Sequence, residues 1–170
     1  MRKKRKAKKG QAAIGMSFNM IFSILLIIAF VALAVYAISY FLKIGRCTQV
    51  GSFITDLDEA VESVWKISAP KTYVFKDHAL PTSIEYICFA DFNKPADNNQ
   101  EIYDYLRRYE DEGTLFFYPP KKACDFPYYK LEHINITAIT QESNPYCIRN
   151  NGKPEIKLSK DFYEPLVRIN

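Results

Sequence analysis

The sequence predicts an α+β fold, with a long N-terminal transmembrane and stalk helix followed by a small antiparallel-sheet domain with disulfides. An uncharged apolar run covers residues 20–42, apolar residues then recur at helical spacing, and short aromatic and β-branched runs fill the rest of the chain. We therefore expect a basic cytoplasmic leader over residues 1–10, a transmembrane helix over 11–45, an amphipathic stalk helix over 46–69 and an extracytoplasmic α+β domain over 70–170.

The leader is strongly basic and predicts the orientation of the chain. Seven of the 23 Lys and Arg residues precede Gly10, and no acidic residue occurs before Asp56. Basic flanks of spanning helices stay in the cytoplasm, so we expect the N-terminus inside the cell and the domain outside. A nucleic-acid interface is the alternative for such a run. Beside a spanning helix we expect contact with lipid headgroups instead, and no nucleic-acid partner.

The apolar run is long enough to cross a membrane. No charged residue occurs between Gly10 and Leu42, and a bilayer core of about 30 Å requires about 20 apolar residues in a helix. Helices of soluble proteins usually carry one apolar stripe, whereas this run is apolar on every face. The run therefore predicts a single membrane-spanning helix whose partner is the lipid bilayer of the cell membrane.

A short motif joins the leader to the apolar run, with the sequence Lys8-Lys9-Gly10-Gln11-Ala12-Ala13. It resembles the class III signal peptide of archaeal type IV pilin-like proteins, in which a prepilin peptidase cuts after the Gly and leaves the apolar helix in place. An ordinary signal peptide is cut after its apolar stretch instead. The resemblance implies a processing site at Gly10 and Gln11, a prepilin-type peptidase as a partner, and helices that pack against copies of themselves.

The chain departs from the pilin pattern at one position. Pilins carry a Glu at the fifth residue after the cut, where this chain has Gly15, so the usual mode of filament assembly is not implied. The stretch GMSFNMIFSI, followed by a domain with four cysteines, also resembles an uncharacterised type of membrane protein from small-genome archaea.

Three small or polar residues of the apolar helix share one face. Gly15, Asn19 and Ser23 are spaced four apart, and such residues let helices approach closely and form hydrogen bonds in lipid. This spacing favours self-association through the transmembrane helix. The alternative is that these residues merely lie near the cytoplasmic interface of the membrane, where polar groups cost little.

The four cysteines all follow the apolar run. No CxxC pair occurs among them, which argues against a zinc site or a thioredoxin-type redox site. An even number outside the cell favours two disulfides, each worth about 2–4 kcal/mol, although buried free thiols are the alternative. Three pairings are open, and we favour the pair Cys88–Cys124. The disulfide candidates are Cys47, Cys88, Cys124 and Cys147.

Beyond the membrane, the pattern changes from helix to strand. Apolar residues recur at intervals of three and four from Val50 to Trp65, and Pro70 predicts that the helix ends near Ser68. Asn150-Asn151-Gly152 is typical of a hairpin turn. The predicted strands cover residues 72–76, 84–90, 114–118, 130–136, 146–149, 155–158 and 162–169, and a short helix covers 101–109.

Residue patterns for catalysis are weak in this sequence. His78 and His133 have no partner at HExxH spacing, and no serine lies in GxSxG. The acidic stretch 91–101 lacks the turn glycine of an EF-hand, so a polar loop followed by a helix cap is simpler than a calcium site. Asn135 begins an N-glycosylation sequon within a predicted strand. We expect no catalytic residue, no metal and no cofactor.

Two functional hypotheses remain open at this stage. The first is a pilin-like structural or surface-interaction protein, anchored in the membrane and without catalytic activity. The alternative is an uncleaved single-pass membrane subunit whose external domain binds a partner or ligand in an envelope complex. A membrane-tethered hydrolase has no supporting motif.

Overall fold

The computed structural model describes residues 12–110 and 112–170. The chain divides between Lys43 and Ile44 into two compact units, and the first helix, α1 (Ala12–Trp65), contributes to both. The predicted α+β class is confirmed, because a long N-terminal helix precedes a small antiparallel-sheet domain with two disulfides.

In the first unit, α1 is apolar and unpacked. Every side chain over residues 19–43 is exposed, including the large apolar ones. A helix satisfies its backbone hydrogen bonds internally, which is the condition for placing a single segment in lipid. This part of α1, residues 19–43, is called the apolar segment below.

In the second unit, α1 becomes amphipathic. Its buried face carries Val50, Phe53, Leu57, Val61 and Val64, at helical spacing. The helix ends at Trp65, three residues before the predicted end near Ser68.

The end of α1 is capped by a lysine from a distant strand. The last turn of α1 contains no basic residue. Instead, Nζ of Lys160 donates to the carbonyl oxygens of Trp65 at 2.5 Å and Ile67 at 2.9 Å. A positive charge at these free carbonyls offsets the negative end of the helix dipole.

Within the described residues, seven strands form two antiparallel sheets beside this part of α1. The three-stranded sheet has the order β1-β6-β7 and the four-stranded sheet has the order β4-β3-β2-β5. The strands are β1 (Lys71–Phe75), β2 (Tyr86–Phe89), β3 (Leu115–Tyr118), β4 (Tyr128–Tyr129), β5 (Tyr146–Arg149), β6 (Ile156–Lys160) and β7 (Arg168–Ile169). The short helices are α2 (Gln100–Leu106) and α3 (Ile136–Ile139), with 3₁₀ turns at Arg107–Tyr109 and Pro120–Lys122.

Phe53 joins α1 to both sheets. Its ring meets that of Phe75 on β1 edge to face at 5.4 Å, and that of Phe117 on β3 at 6.2 Å. All three rings are fully buried. The helix therefore provides the common core onto which the two sheets pack.

The other face of the four-stranded sheet is also buried. Cys88 and Phe116 point away from α1 and pack with Leu106 of α2 in a second, smaller core. Ile87 and Phe117 point towards α1 in the main core. Burial on both faces explains why β2 and β3 read as nearly continuous apolar runs.

Three sequence predictions about strands are wrong. The strand predicted over 162–169 forms only at its end, as β7 (Arg168–Ile169). The strand predicted over 130–136 does not form; β4 is shorter and earlier, and Ile134 makes only an isolated bridge to Val167. His133, within the predicted range, has a φ of 61°, which interrupts an extended strand.

The predicted hairpin at Asn150-Asn151-Gly152 is also wrong, because β5 and β6 belong to different sheets. The Asn150 side chain is buried and donates to the carbonyl oxygens of Pro81 at 2.9 Å and Ile84 at 2.8 Å. This turn therefore fastens one loop to another instead of pairing its flanking strands.

Candidate functional site

The apolar segment is the most distinctive surface of the chain. Among the described residues, α1 is the one helix long and apolar enough to cross a membrane, and none of its most apolar window is buried. Exposed apolar patches of soluble monomers rarely exceed a few hundred Å². By length and composition this segment fits a membrane anchor or a signal sequence.

The three residues predicted for helix association lie on α1. The Ser23 hydroxyl donates to the carbonyl oxygen of Asn19 at 2.9 Å, one turn earlier, and both side chains are exposed. Gly15 lies in the same helix. Association of helices through this face stays a prediction. The predicted processing site, Gly10 and Gln11, lies outside the described residues.

The four cysteines form two disulfides, Cys47–Cys124 and Cys88–Cys147. The favoured pair Cys88–Cys124 is therefore wrong. Cys88 and Cys147 lie directly opposite each other on β2 and β5, with their Cα atoms 4.1 Å apart. Cys47 lies on α1, and its bond to Cys124 fixes the loop after β3 to the start of the packed part of the helix.

A groove between α1 and β1 gathers charged and aromatic groups. We call it the β1 groove; it encloses about 310 Å³ and is lined chiefly by Asp56, Glu59, Lys71, Tyr73 and His78. β1 is an edge strand, paired only with β6 in the part of the chain that the structure describes. An open edge beside a groove can accept an extended partner segment.

His78 is held in the β1 groove by two contacts. Its Nδ1 lies 2.8 Å from Oδ2 of Asp56, and its ring stacks on Phe75 at 4.2 Å. The pair can orient a partner's donor group. No group of three His, Cys, Asp or Glu side chains suited to a metal ion occurs among the described residues.

The second histidine has a packing role. His133 stacks on Trp65 with ring centroids 3.6 Å apart, covering the last residue of α1. Beside it, burial and the Asp58 carboxylate raise the pKa of Tyr129, so this phenol stays neutral at physiological pH. These groups cover the core at the C-terminal end of α1.

The acidic stretch 91–101 is a polar loop whose backbone carbonyls accept hydrogen bonds from nearby side chains. The buried Asn144 amide donates to the carbonyl oxygens of Asp91 at 2.8 Å and Pro95 at 3.1 Å. The Tyr103 hydroxyl donates to the Lys94 carbonyl at 2.6 Å, and burial raises its pKa. The loop's backbone is thus satisfied by amide and phenol groups.

Asn135 is a helix cap and does not lie in a strand. Its Oδ1 accepts a hydrogen bond from the backbone N–H of Ala138 at 3.0 Å, at the start of α3. The sequon's Thr137 is exposed, with its hydroxyl 3.5 Å from an Asp91 carboxylate oxygen. Glycosylation of Asn135 stays a prediction.

Comparison with known proteins adds no relative: no family model, curated protein or solved structure matches this chain. The features of this chain that bear on its function are the apolar segment, the disulfide-bonded domain and the β1 groove.

Proposed function

We propose that this chain is a single-pass membrane protein with its N-terminus in the cytoplasm, acting outside the cell as a pilin-like structural or surface-interaction protein. The observation that carries the proposal is the contrast within α1. Residues 19–43 expose apolar side chains on every face, while the residues after Ile44 bury one face against two sheets. Lipid is the solvent that suits the first pattern.

The disulfides support an extracytoplasmic location for the domain Ile44–Asn170. Both lie in this unit, and structural disulfides persist in oxidising compartments outside the cytoplasm. The basic leader supports the same orientation.

The contacts of the two histidines suit a surface-interaction role. His78 pairs with Asp56 in an open groove, and His133 is stacked on Trp65. Surface interaction is the simpler use of this domain.

Intact-mass measurement of protein extracted from membranes tests the pilin-like proposal. A chain that begins at Gln11 is expected, because the prepilin-type peptidase would remove residues 1–10. Reduction should add the mass of four hydrogen atoms for the two disulfides. A mass that retains Arg2–Gly10 would contradict pilin-like processing, and four thiols free before reduction would contradict the external location.

Gly15 and the β1 groove favour a second candidate function. Gly15 stands where pilins carry an assembly Glu, and the groove places Asp56 and His78 beside an open strand edge. Both fit an uncleaved membrane subunit whose domain binds a partner in an envelope complex. The same mass measurement separates the candidates, since this one keeps its leader. Affinity-purified filaments that contain the chain would favour the first candidate.

A further inference from the structure

A short loop of the domain Ile44–Asn170 is amphipathic and firmly anchored. It covers residues 119–127, after β3, and is called the basic loop. Its Pro120 and Ala123 are buried, with Ala123 in the main core beside α1. Internal hydrogen bonds from the N–H groups of Lys122 to Pro119 and of Phe126 to Ala123 fix its shape. The loop therefore presents its outer side chains on a rigid base.

The outer side of the basic loop combines positive charge with an aromatic ring. Lys121 and Lys122 are exposed, as is the single acidic residue of the loop, Asp125. Phe126 is 40% exposed. Its ring lies over Gly51 of α1: a Cβ atom placed on that glycine would be 3.8 Å from Cε2 of Phe126. The ring therefore packs on the helix while part of it stays exposed to solvent.

The Cys47–Cys124 disulfide limits the distance between the basic loop and the apolar segment. Cys47 follows Leu42 by five residues, which is about 7.5 Å of α-helix and at most about 17 Å of extended chain. The Cα atoms of Cys47 and Cys124 are 5.6 Å apart. Lys43 and Arg46 add two positive charges in the same short stretch. Covalent connection alone thus keeps the loop close to the end of the apolar segment.

We propose that the basic loop docks on the anionic phospholipid headgroups of the membrane in which the apolar segment is anchored. Lys121 and Lys122 bind headgroup phosphates, and the Phe126 ring inserts at the boundary between headgroups and acyl chains. Aromatic side chains concentrate at this depth, and lysine side chains reach to the phosphates. This inference rests on the membrane anchoring proposed above.

Tethering explains why so small a surface suffices. The anchor holds the loop beside the headgroups, so weak contacts are occupied without any cost of bringing two molecules together. The occupant is a lipid surface, since the exposed groups are cationic and aromatic and lie next to an anchored segment. A protein partner or a second copy of the chain would contact the same residues without lipid.

The test uses the full chain in nanodiscs of phosphatidylcholine and phosphatidylglycerol, with one chain per disc. Trp65, the single tryptophan, is changed to Phe, and Phe126→Trp places the reporter in the basic loop. Some discs carry lipid brominated at the headgroup end of the acyl chains. The matched control carries Trp65→Phe with Tyr163→Trp, because Tyr163 is also an exposed aromatic residue, 90% accessible, in another loop.

The tryptophan at position 126 is expected to be quenched by brominated lipid, and that at position 163 is not. Absence of quenching at position 126 in discs that contain the chain overturns the docking proposal and leaves the anchor intact. Equal quenching at both positions also overturns it, because the contact would not be specific to the loop. Failure of the chain to enter discs overturns the anchor itself.

Lysine acetylation of the unsubstituted chain provides a second readout. One basic residue near an anionic surface gains about 1 kcal/mol, or about fivefold in occupancy. Lys121 and Lys122 are therefore expected to react about fivefold more slowly in discs containing phosphatidylglycerol than in pure phosphatidylcholine, while Lys66 reacts equally in both. Equal rates for all three lysines in the two lipids would overturn the role of anionic headgroups and point to a protein partner.

Discussion

The two parts of α1 share a backbone but not an environment. The apolar segment exposes all of its side chains, whereas the part after Ile44 buries one stripe against two sheets and leaves its acidic residues outside. Both parts are rich in apolar residues. Their arrangement around the helix, more than their number, determines whether the helix packs against protein or requires lipid.

The packed part of α1 is joined to both sheets through one aromatic residue. Phe53 alone contacts one aromatic residue of each sheet. The apolar segment has three Phe residues in the run 20–42 and buries none of them. The following substitutions test this contrast, from the largest effect to the smallest.

Charge in the apolar segment should oppose membrane integration. The run 20–42 contains fourteen Leu, Ile, Phe and Val residues, which together favour insertion by about 6 kcal/mol. One Arg at the helix centre costs about 3 kcal/mol. Val31→Arg should therefore stay integrated, whereas Ile27→Arg with Val31→Arg should leave about half of the chains extractable by alkaline carbonate. The matched variant Thr55→Arg, in the packed part, should integrate fully. Full integration of the double Arg variant would contradict the membrane assignment.

Truncation of the shared core residue should destabilise the domain. Phe53→Ala removes a fully buried ring that contacts both sheets, so we expect the free energy of unfolding to fall by about 3–5 kcal/mol. Denaturant titration in detergent, followed by Trp65 fluorescence, measures the change. Phe22→Ala is the control, because Phe22 is exposed in the apolar segment. An equal loss in the two variants would contradict the division between packed and unpacked parts.

Removal of the lysine cap should have the smallest effect. Lys160→Met leaves the carbonyl oxygens of Trp65 and Ile67 without their charged donor, so we expect a loss of about 1–2 kcal/mol in the same titration. Lys157→Met, on the same strand but exposed, should change stability by less than about 0.5 kcal/mol. A Lys160→Met variant as stable as the Lys157→Met control would show that water caps the helix equally well.

Local patterns were sufficient to predict α1, α2 and the central strands, whereas α3 was not predicted. The apolar residues of α1 from Val50 to Val64 recur at helical spacing, and this stripe is the one the core buries. β2 and β3 fall within the predicted runs 84–90 and 114–118, because strands buried on both faces are nearly continuous in apolar residues.

Long-range arrangement could not be read in the same way. Cys88 and Cys147 are 59 residues apart, and only the register of β2 against β5 brings them opposite each other. The turn at Asn150 follows the hairpin pattern, but the Asn150 side chain donates hydrogen bonds to carbonyl oxygens of a loop about 70 residues earlier in the chain. The candidate surfaces depend on such contacts: in the β1 groove, Asp56 meets His78, which follows 22 residues later, after the end of α1 and all of β1.

The Cys47–Cys124 disulfide also determines how the domain would respond to mechanical load. A pull between the apolar segment and residue 170 passes directly from Cys47 to Cys124 through the S–S bond, so the 76 residues between them carry no tension. Only the 46 residues after Cys124 can be drawn out, to roughly 160 Å at about 3.5 Å per residue. The packed part of α1 and β1, β2 and β3 lie inside the protected stretch. Because the Cys88–Cys147 disulfide also ties β5 to β2, only the 23 residues after Cys147 can be drawn out while β2 keeps its place in the sheet.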